Sequence, residues 1–374
     1  MSRPDPLGLY VHIPYCRVKC HYCDFAAFSG QKRSAGRYLK ALEREAAFWA
    51  GSVPETLYIG GGTPSELDRD QIAELLALIR RSFPDSRYRE ASFEANPESL
   101  DPAKIALVRD AGVTRLSLGL QTPDDALLKS IGRVHTAADF RRVFAQARRA
   151  GLALSVDLMY GLPGQSFAGF LGGLREALAL EPEHLSLYGL QVEDRTLFSR
   201  RGVEPDEEIC RRMFEEAIAA LSAAGYEHYE ISNFAKPGHQ SLHNRIYWRN
   251  GEYIGLGCGA ASYRAGRRAA NHDRLIPYLD AVESGSRPEA FSEELSGKDK
   301  LGETAMLGLR LVAEGVPVAG EMGEAFAPSW RYLEAQGLIR LAAGRAKLTR
   351  EGVFLANRAF SEFVPPFRVS NVQT

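Results

Sequence analysis

Residues 8–30 read GLYVHIPYCRVKCHYCDFAAFSG: an alternating β-branched and aromatic run, followed at once by Cys16, Cys20 and Cys23. The alternation predicts a short strand, and the thiols fall in the loop leaving its C-terminal end. The helical pattern GRYLKALEREAAFWA (36–50) comes next. This strand, loop and helix unit recurs. TLYIGG (56–61) precedes DRDQIAELLALIRRSF, and EASFEAN (90–96) precedes DPAKIALVRDAG, where Asp101 suits an N-cap and Pro102 the first helical position. TRLSLGLQ (114–121), LALSVDLMYGLP (152–163) and EHLSLYGLQV (183–192) each lead into a further helical pattern. Six such units in series predict a parallel sheet with helices outside it, either curled as a partial (β/α)6 barrel or open and doubly wound.

In a parallel barrel, ligands bind where the loops after the strands converge. Each unit places an unusual residue there: the cysteine loop, then GGGTP (60–64), Glu94 with Asn96, Gln121, Asp157 and Gln191. Three thiolates at spacing four and three fit three irons of a [4Fe-4S] cluster; a site for zinc or a closed cluster would call for a fourth. The iron left open can take S-adenosylmethionine through its amino and carboxylate groups, and an electron from the cluster would split the sulfonium to a 5'-deoxyadenosyl radical. Gly61 and Gly62 would let backbone amides approach the methionyl part, with Thr63 adding a hydrogen bond. Glu94 and Asp157 suit amine or ribose hydroxyls, Gln121 donates and accepts, Arg133 suits a carboxylate, and Tyr22 can offer its backbone to the adenine.

Other readings of the same residues stand beside these. A triple glycine also makes a tight turn, and Glu94 or Asp157 also serves as a cap or rim charge. Cys210, in a helical pattern, is expected to face the core; Cys258, in GLGCGAASY, either packs in a strand or lies near the site as a fourth ligand. His12 alternates with Val11 and Ile13, so it points inward, as a satisfied interior group or as a neighbour of the cluster.

The bulk composition is that of an ordinary globular chain. Of 374 residues, 45% are hydrophobic and 25% charged, and 46 basic against 47 acidic residues leave a net charge of -1, which removes a polyanion as the default partner. No window suits a spanning helix and the first residues carry no apolar leader, so a soluble, cytoplasmic protein is expected. Five cysteines in a chain of this size point to metal or catalytic use in a reducing compartment rather than to a disulfide framework.

After about Gly225 the rhythm breaks. HYEISNFAKPGHQSLHNRIYWRNGEYIGLGCGAASYRAG (228–266) lacks helical periodicity and reads as irregular segments and short strands covering the barrel. Helical patterns at 300–315, 329–337 and 350–360 around a ribbon at 338–349 then suggest a small winged-helix-like unit without a basic reading face. The division expected is 1–235 core, 236–295 extension and 296–374 C-terminal unit.

The motifs YVHIPYCRVKCHYCDF, YIGGGTPS, FEANPES, LSLGLQT, IGRVH and DLMYGLPGQ, in this order, resemble the radical S-adenosylmethionine superfamily and within it the oxygen-independent coproporphyrinogen III oxidase-like family. The resemblance runs through essentially the whole chain. It implies the partial-barrel fold, cluster ligation by Cys16, Cys20 and Cys23, and S-adenosylmethionine binding by Tyr10, Tyr22, Gly61, Gly62, Thr63, Glu94, Gln121, Arg133, Asp157 and Gln191. Oxidases of this family carry a further cysteine two residues after the third and a long N-terminal extension; Phe25 and only nine residues before Tyr10 stand here instead. HNRIYW (243–248) resembles the HNxxYW signature of the HemW branch, whose members bind heme and deliver it to respiratory hemoproteins. That likeness implies heme as cargo, His243 as an axial ligand beside Tyr247 and Trp248, and client hemoproteins as partners, some at the membrane. A turn histidine bonded to backbone is the plain alternative for His243. The other functional readings are the oxidative decarboxylation of coproporphyrinogen III to protoporphyrinogen IX and a radical reaction on another tetrapyrrole.

Overall fold

The computed structural model describes residues 6–367. The extreme ends of the first and last expected units lie outside them. Strand β1 (Gly8–Ile13) leads through the cysteine loop to helix α1 (Ala35–Ala46). The alternation continues with β2 (Thr56–Gly61), α2 (Arg69–Ser82), β3 (Glu90–Ala95), α3 (Pro102–Asp110), β4 (Arg115–Gln121), α4 (Ala137–Arg149), β5 (Ala153–Tyr160), α5 (Phe167–Ala179), β6 (His184–Gly189) and α6 (Glu207–Ala223). The helix starts are written in short side chains. Asp68 and Gln71 form a reciprocal capping box on α2, Thr136 and Asp139 another on α4, and Asp101 caps α3 ahead of Pro102.

Strands β1 to β6 pair in parallel and in chain order, and β1 does not pair with β6, so the barrel is left incomplete among the described residues. Leu9, Val11 and Ile13 of β1 point outward against the helices and are fully buried there. Tyr10 and His12 take the opposite, inward face.

Both edges of the six-stranded unit are extended. After α6 come β7 (Glu227–Glu230) and β8 (Asn233–Ala235), then helix α7 (Leu242–Trp248), β9 (Tyr253–Leu256), β10 (Ala261–Arg264), β11 (Arg267–Asn271), α8 (Leu275–Glu283) and β12 (Glu289–Glu294). The twelve-stranded sheet runs β12-β11-β10-β9-β1-β2-β3-β4-β5-β6-β8-β7. The segment expected to cover the barrel thus prolongs its sheet, because the open side of β1 offers an unpaired backbone that Tyr253–Leu256 satisfies in parallel register, Gly8 opposite Tyr253. The HNRIYW stretch also differs from the reading as irregular chain. It forms a seven-residue helix, α7, capped by Ser241 Oγ at 3.2 Å from the Asn244 N–H, and too short to display a helical period. Strand β12 forms one edge of the sheet and β7 the other, and only Glu289 of the six residues of β12 is partly covered.

The C-terminal unit has a separate apolar core around Leu309, Trp330, Leu333 and Phe363. Helix α9 (Gly297–Leu309) packs on α7, and a three-stranded sheet of β13 (Val316–Pro317), β14 (Ile339–Ala342) and β15 (Arg345–Leu348) follows with helix α10 (Ala327–Ala335). Arg245 of α7 and Arg249 just after it both pair with Glu314, tying this unit to the barrel.

Candidate functional site

A pocket of about 450 Å³ opens at the C-terminal ends of β1 to β6. All six strands contribute. Cys16, Cys20, Tyr22 and Cys23 line it from the first loop, Gly61, Gly62 and Thr63 from the second, Glu94 and Asn96 from β3 and its end, Gln121 from β4, Asp157 from β5 and Gln191 from beyond β6. Arg133 enters from the segment that follows β4. The thiols feel one another's charge yet do not converge on one point as ligands of a single ion would.

The GGG turn is dictated by its neighbours as much as by any ligand. A β-carbon at Gly60 would stand 2.8 Å from the Glu94 carboxyl, and one at Gly61 2.5 Å from the His12 ring. Gly61 also holds φ at 111°, a conformation side-chain-bearing residues rarely adopt. Gln121 does so without being glycine, at φ 64°, where the β4 and β5 register slips. That local strain lies on the pocket wall, where strained backbone commonly collects.

A polar chain joins two of the cysteines. Cys16 Sγ lies 3.3 Å from Thr63 Oγ1, Asn96 Nδ2 donates to Thr63 Oγ1 at 3.0 Å, Arg133 Nη2 donates to Asn96 Oδ1 at 2.6 Å, and Arg133 Nη1 points at Cys20 Sγ at 3.7 Å. Arg133 Nη2 also donates to the Gly119 carbonyl at 3.1 Å. Burial works against the Arg133 charge, but Tyr22, Cys20 and Glu98 outweigh it and hold the guanidinium ionised. Burial pushes the Cys16 thiol up to about 12 against the Thr63 hydrogen bond, and it raises Cys23 as well. Thiols so placed call for a cationic group to ionise them.

On the inner wall, burial raises Glu94 to about 7 and nearby Asp157 adds to this, while the Tyr58 hydroxyl at 2.6 Å and the Gly61 N–H at 3.1 Å, both donating, pull it down. Asp157 is lifted to about 6 by burial against hydrogen bonds from Ser186 and Ser117 and the Arg133 charge. Two half-buried carboxylates beside a guanidinium and open backbone suit a zwitterion that also carries hydroxyls.

Two expected site residues lie away from the pocket. Tyr10 points into the barrel below it, its hydroxyl 2.9 Å from His12 Nδ1 and its ring against Tyr58. His243 has 0% exposure; its Nδ1 lies 2.8 Å from Thr56 Oγ1, its Nε2 lies 2.8 Å from Tyr247 Oη, and burial lowers it to about 3. Both ring nitrogens of His243, the expected axial ligand, are thus engaged inside the barrel, away from the pocket. Cys258 is packed in the core with its N–H on Tyr38 Oη, outside the pocket, so it supplies no fourth thiolate. Cys210 is half-buried rather than in the core, its sulfur filling the space where Gly161 would carry a side chain. His12 is satisfied within the barrel, its Nε2 2.8 Å from the Ala26 carbonyl oxygen.

Some lining residues escaped the sequence reading. The sequence places Asn96 on the rim without a role and gives no motif for Ser117 or Tyr188, yet all three line the pocket. Their signal is the period of two: Asn96 follows Glu94, Ser117 precedes Gln121 by four, and all share the inward face of their strands.

Residues 10–177 match the model of the radical SAM superfamily and residues 295–355 that of the HemN C-terminal domain. The chain is 37% identical to the heme chaperone HemW of Bacillus subtilis, over 95% of this chain and 98% of that protein. It is 35% identical to the heme chaperone HemW of Escherichia coli, over 97% and 100%. The chain belongs to the HemW family.

Coproporphyrinogen III oxidase of Escherichia coli shares the fold of this HemW-family chain, with a TM-score of 0.84 over 97% of this chain and 91% of the other at 24% identity. Membership of the radical SAM superfamily implies a [4Fe-4S] cluster and S-adenosylmethionine. The pocket fits both: three thiols share one loop, and carboxylates, an arginine and strand-end backbone groups stand opposite them.

Proposed function

We propose that this protein is a heme chaperone that binds heme and passes it to hemoproteins, with a [4Fe-4S] cluster on Cys16, Cys20 and Cys23 and S-adenosylmethionine at the open iron. Gly61, Gly62, Thr63, Glu94, Gln121, Arg133 and Asp157 would hold the S-adenosylmethionine, with Tyr22 and Gln191 beside them. When bound, the cluster supplies single electrons and S-adenosylmethionine a cleavable sulfonium. The chain's own residues orient and screen: Arg133 and the Thr63–Asn96 pair fix the cysteine loop, and the half-buried Glu94 and Asp157 meet the ligand's cationic and hydroxyl groups.

The observation that carries the heme reading is the mouth of the pocket. Phe25 is 65% exposed there, and Val18, Val134 and Tyr188 are also exposed around the same opening. Apolar side chains gathered around a polar pocket favour a flat apolar ligand laid across it. Phe25 stands where the oxidases of the wider family would carry another cysteine, which supports carriage over decarboxylation.

Among the described residues no helix is long and apolar enough to cross a membrane. We place the protein in the cytoplasm and let it reach respiratory clients, some of them at the membrane, through contact with them.

Heme titration of the anaerobically reconstituted protein, followed by its Soret change, tests the reading. Stoichiometric binding that weakens in Phe25→Ser is expected. Turnover of coproporphyrinogen III to protoporphyrinogen IX without stoichiometric heme binding would overturn it.

A further inference from the structure

Helix α7 is the part of the chain that the pocket does not use, although its side chains reach deep into the barrel. Its first turn is anchored by Glu90, whose Oε1 accepts from His243 N at 3.1 Å and from Ser241 Oγ at 3.3 Å; Glu90 is itself paired with Arg115 at 3.1 Å. The His243 ring is then fixed on all sides. Thr56 and Tyr247 hold its two nitrogens, Gly8 leaves it just enough room, with a β-carbon there only 3.1 Å from Cε1, and its face stacks on Tyr58 at 5.3 Å and 28°.

Tyr58 is the link to the pocket. Thr56, Tyr58 and Gly60 alternate along the inward face of β2, so the histidine lies beside the first two and the Glu94 carboxyl fills the space over the third. The Tyr58 hydroxyl donates to Glu94 Oε1 at 2.6 Å. Contacts therefore run from α7 through His243 and Tyr58 to a carboxylate on the pocket wall.

We propose that His243 is a positioning residue: it holds the Tyr58 ring so that the Tyr58 hydroxyl fixes the Glu94 carboxylate toward the S-adenosylmethionine pocket. This rests on the reading that Glu94 meets that ligand. The groups facing Glu94 are Tyr58 and Tyr10, Asp157, Tyr188 and Tyr247, and Arg133 acts on it through Asp157. Of these only Asp157 titrates near neutrality, so the Tyr58 hydrogen bond is the adjustable influence on Glu94. A donor that is lost or misaligned favours the protonated acid and weakens the hold on a cationic ligand at neutral pH.

The test is S-adenosylmethionine affinity of the anaerobically reconstituted protein, by equilibrium dialysis between pH 5.5 and 8.5. Tyr58→Phe and His243→Ala are each expected to weaken binding at pH 7 by about fivefold, since a one-unit rise from about 7 cuts the ionised fraction of Glu94 from about a half to about a tenth, and to move the midpoint of the pH profile upward. In a Glu94→Gln background neither is expected to add more than about a twofold loss, because the path ends at that carboxylate. Thr56→Val, which frees the histidine without opening a cavity, carries the test if His243→Ala does not fold, with a smaller loss in the same direction. An equal loss from His243→Ala with and without Glu94, or an unmoved midpoint, would overturn the positioning role. If Glu94→Gln alone leaves affinity unchanged, the reading of the pocket falls and this inference falls with it.

Discussion

Arg133 donates to Asn96, Nη2 to Oδ1 at 2.6 Å, and this one contact closes a path of polar atoms from Cys16 to Cys20. Neither Arg133 nor Asn96 belongs to the cysteine loop, yet together they link the positions of Cys16 and Cys20 within it. Asn96→Ala removes the bridge and leaves Thr63 and the guanidinium each short of a partner. The expected result is a loss of about tenfold or more in affinity for S-adenosylmethionine or in cluster retention, the usual scale for groups that orient ligands. Iron and sulfide content after reconstitution and dialysis binding on the same sample separate the two effects.

The cysteines divide into those of the loop and those elsewhere. Alanine at Cys16, Cys20 or Cys23 is expected to abolish stable iron and acid-labile sulfide incorporation. Alanine at Cys258, which has 0% exposure, is expected to keep both and to cost about 1–2 kcal/mol of stability through the small cavity it leaves. Iron retained at wild-type level in the Cys20 variant would contradict the assignment.

Gln121 adopts φ 64°, which costs a residue with a side chain about 1–3 kcal/mol. Gln121→Gly relieves that strain while deleting the amide from the pocket. Thermal unfolding should show a Tm no lower than wild type alongside weaker S-adenosylmethionine binding. A clear drop in Tm would mean that the side chain, not the backbone, decides stability there.

Glycine is not interchangeable along this chain. Gly61→Ala forces a β-carbon to within 2.5 Å of the His12 ring at φ 111° and should destabilise by about 3 kcal/mol or more. Gly172→Ala, in the middle of α5 where a β-carbon meets nothing within 4 Å, should stabilise by about 0.5–1 kcal/mol. Denaturant midpoints of the two variants should fall on opposite sides of wild type.

Glu94, raised to about 7, and Asp157, raised to about 6, bind protons more tightly in the folded apoprotein than in the unfolded chain. Their contribution to stability is therefore fully present below the ordinary carboxylate range and is lost as pH rises toward 7. Glu94→Gln removes its share of the loss. The apoprotein variant should match wild type near pH 5 and exceed it at pH 8, as read from Tm against pH; a difference independent of pH would contradict the account.

The strand and helix alternation was legible because each β-run is bounded by capping residues and glycines, and the pocket was legible because its residues sit at strand ends. What burial decides was not. His243 and Tyr10 carry the side chains of a ligand site, yet their strand register and the short α7 turn them into the barrel, where they bond to Thr56, Tyr247 and His12. The GGG stretch was read for what a ligand needs, whereas Gly60 and Gly61 are also required by Glu94 and His12, which lie far off in sequence. Strands β9 to β11, four or five residues each and separated by glycine-bearing turns, were too short to announce that β9 would pair with β1 and that the others would extend the sheet beyond it.

Strand β12 ends the sheet with a row of backbone groups that take no strand partner among the described residues. Its Glu289, Glu293 and Glu294 face Asn271, Arg268 and Arg267 of β11 on one side, while Phe291 lies 52% exposed among them. Negative charge on a free edge repels a second chain that would otherwise add its own strand. Resistance to self-association during synthesis and cofactor loading thus depends on a few carboxylates far from the pocket.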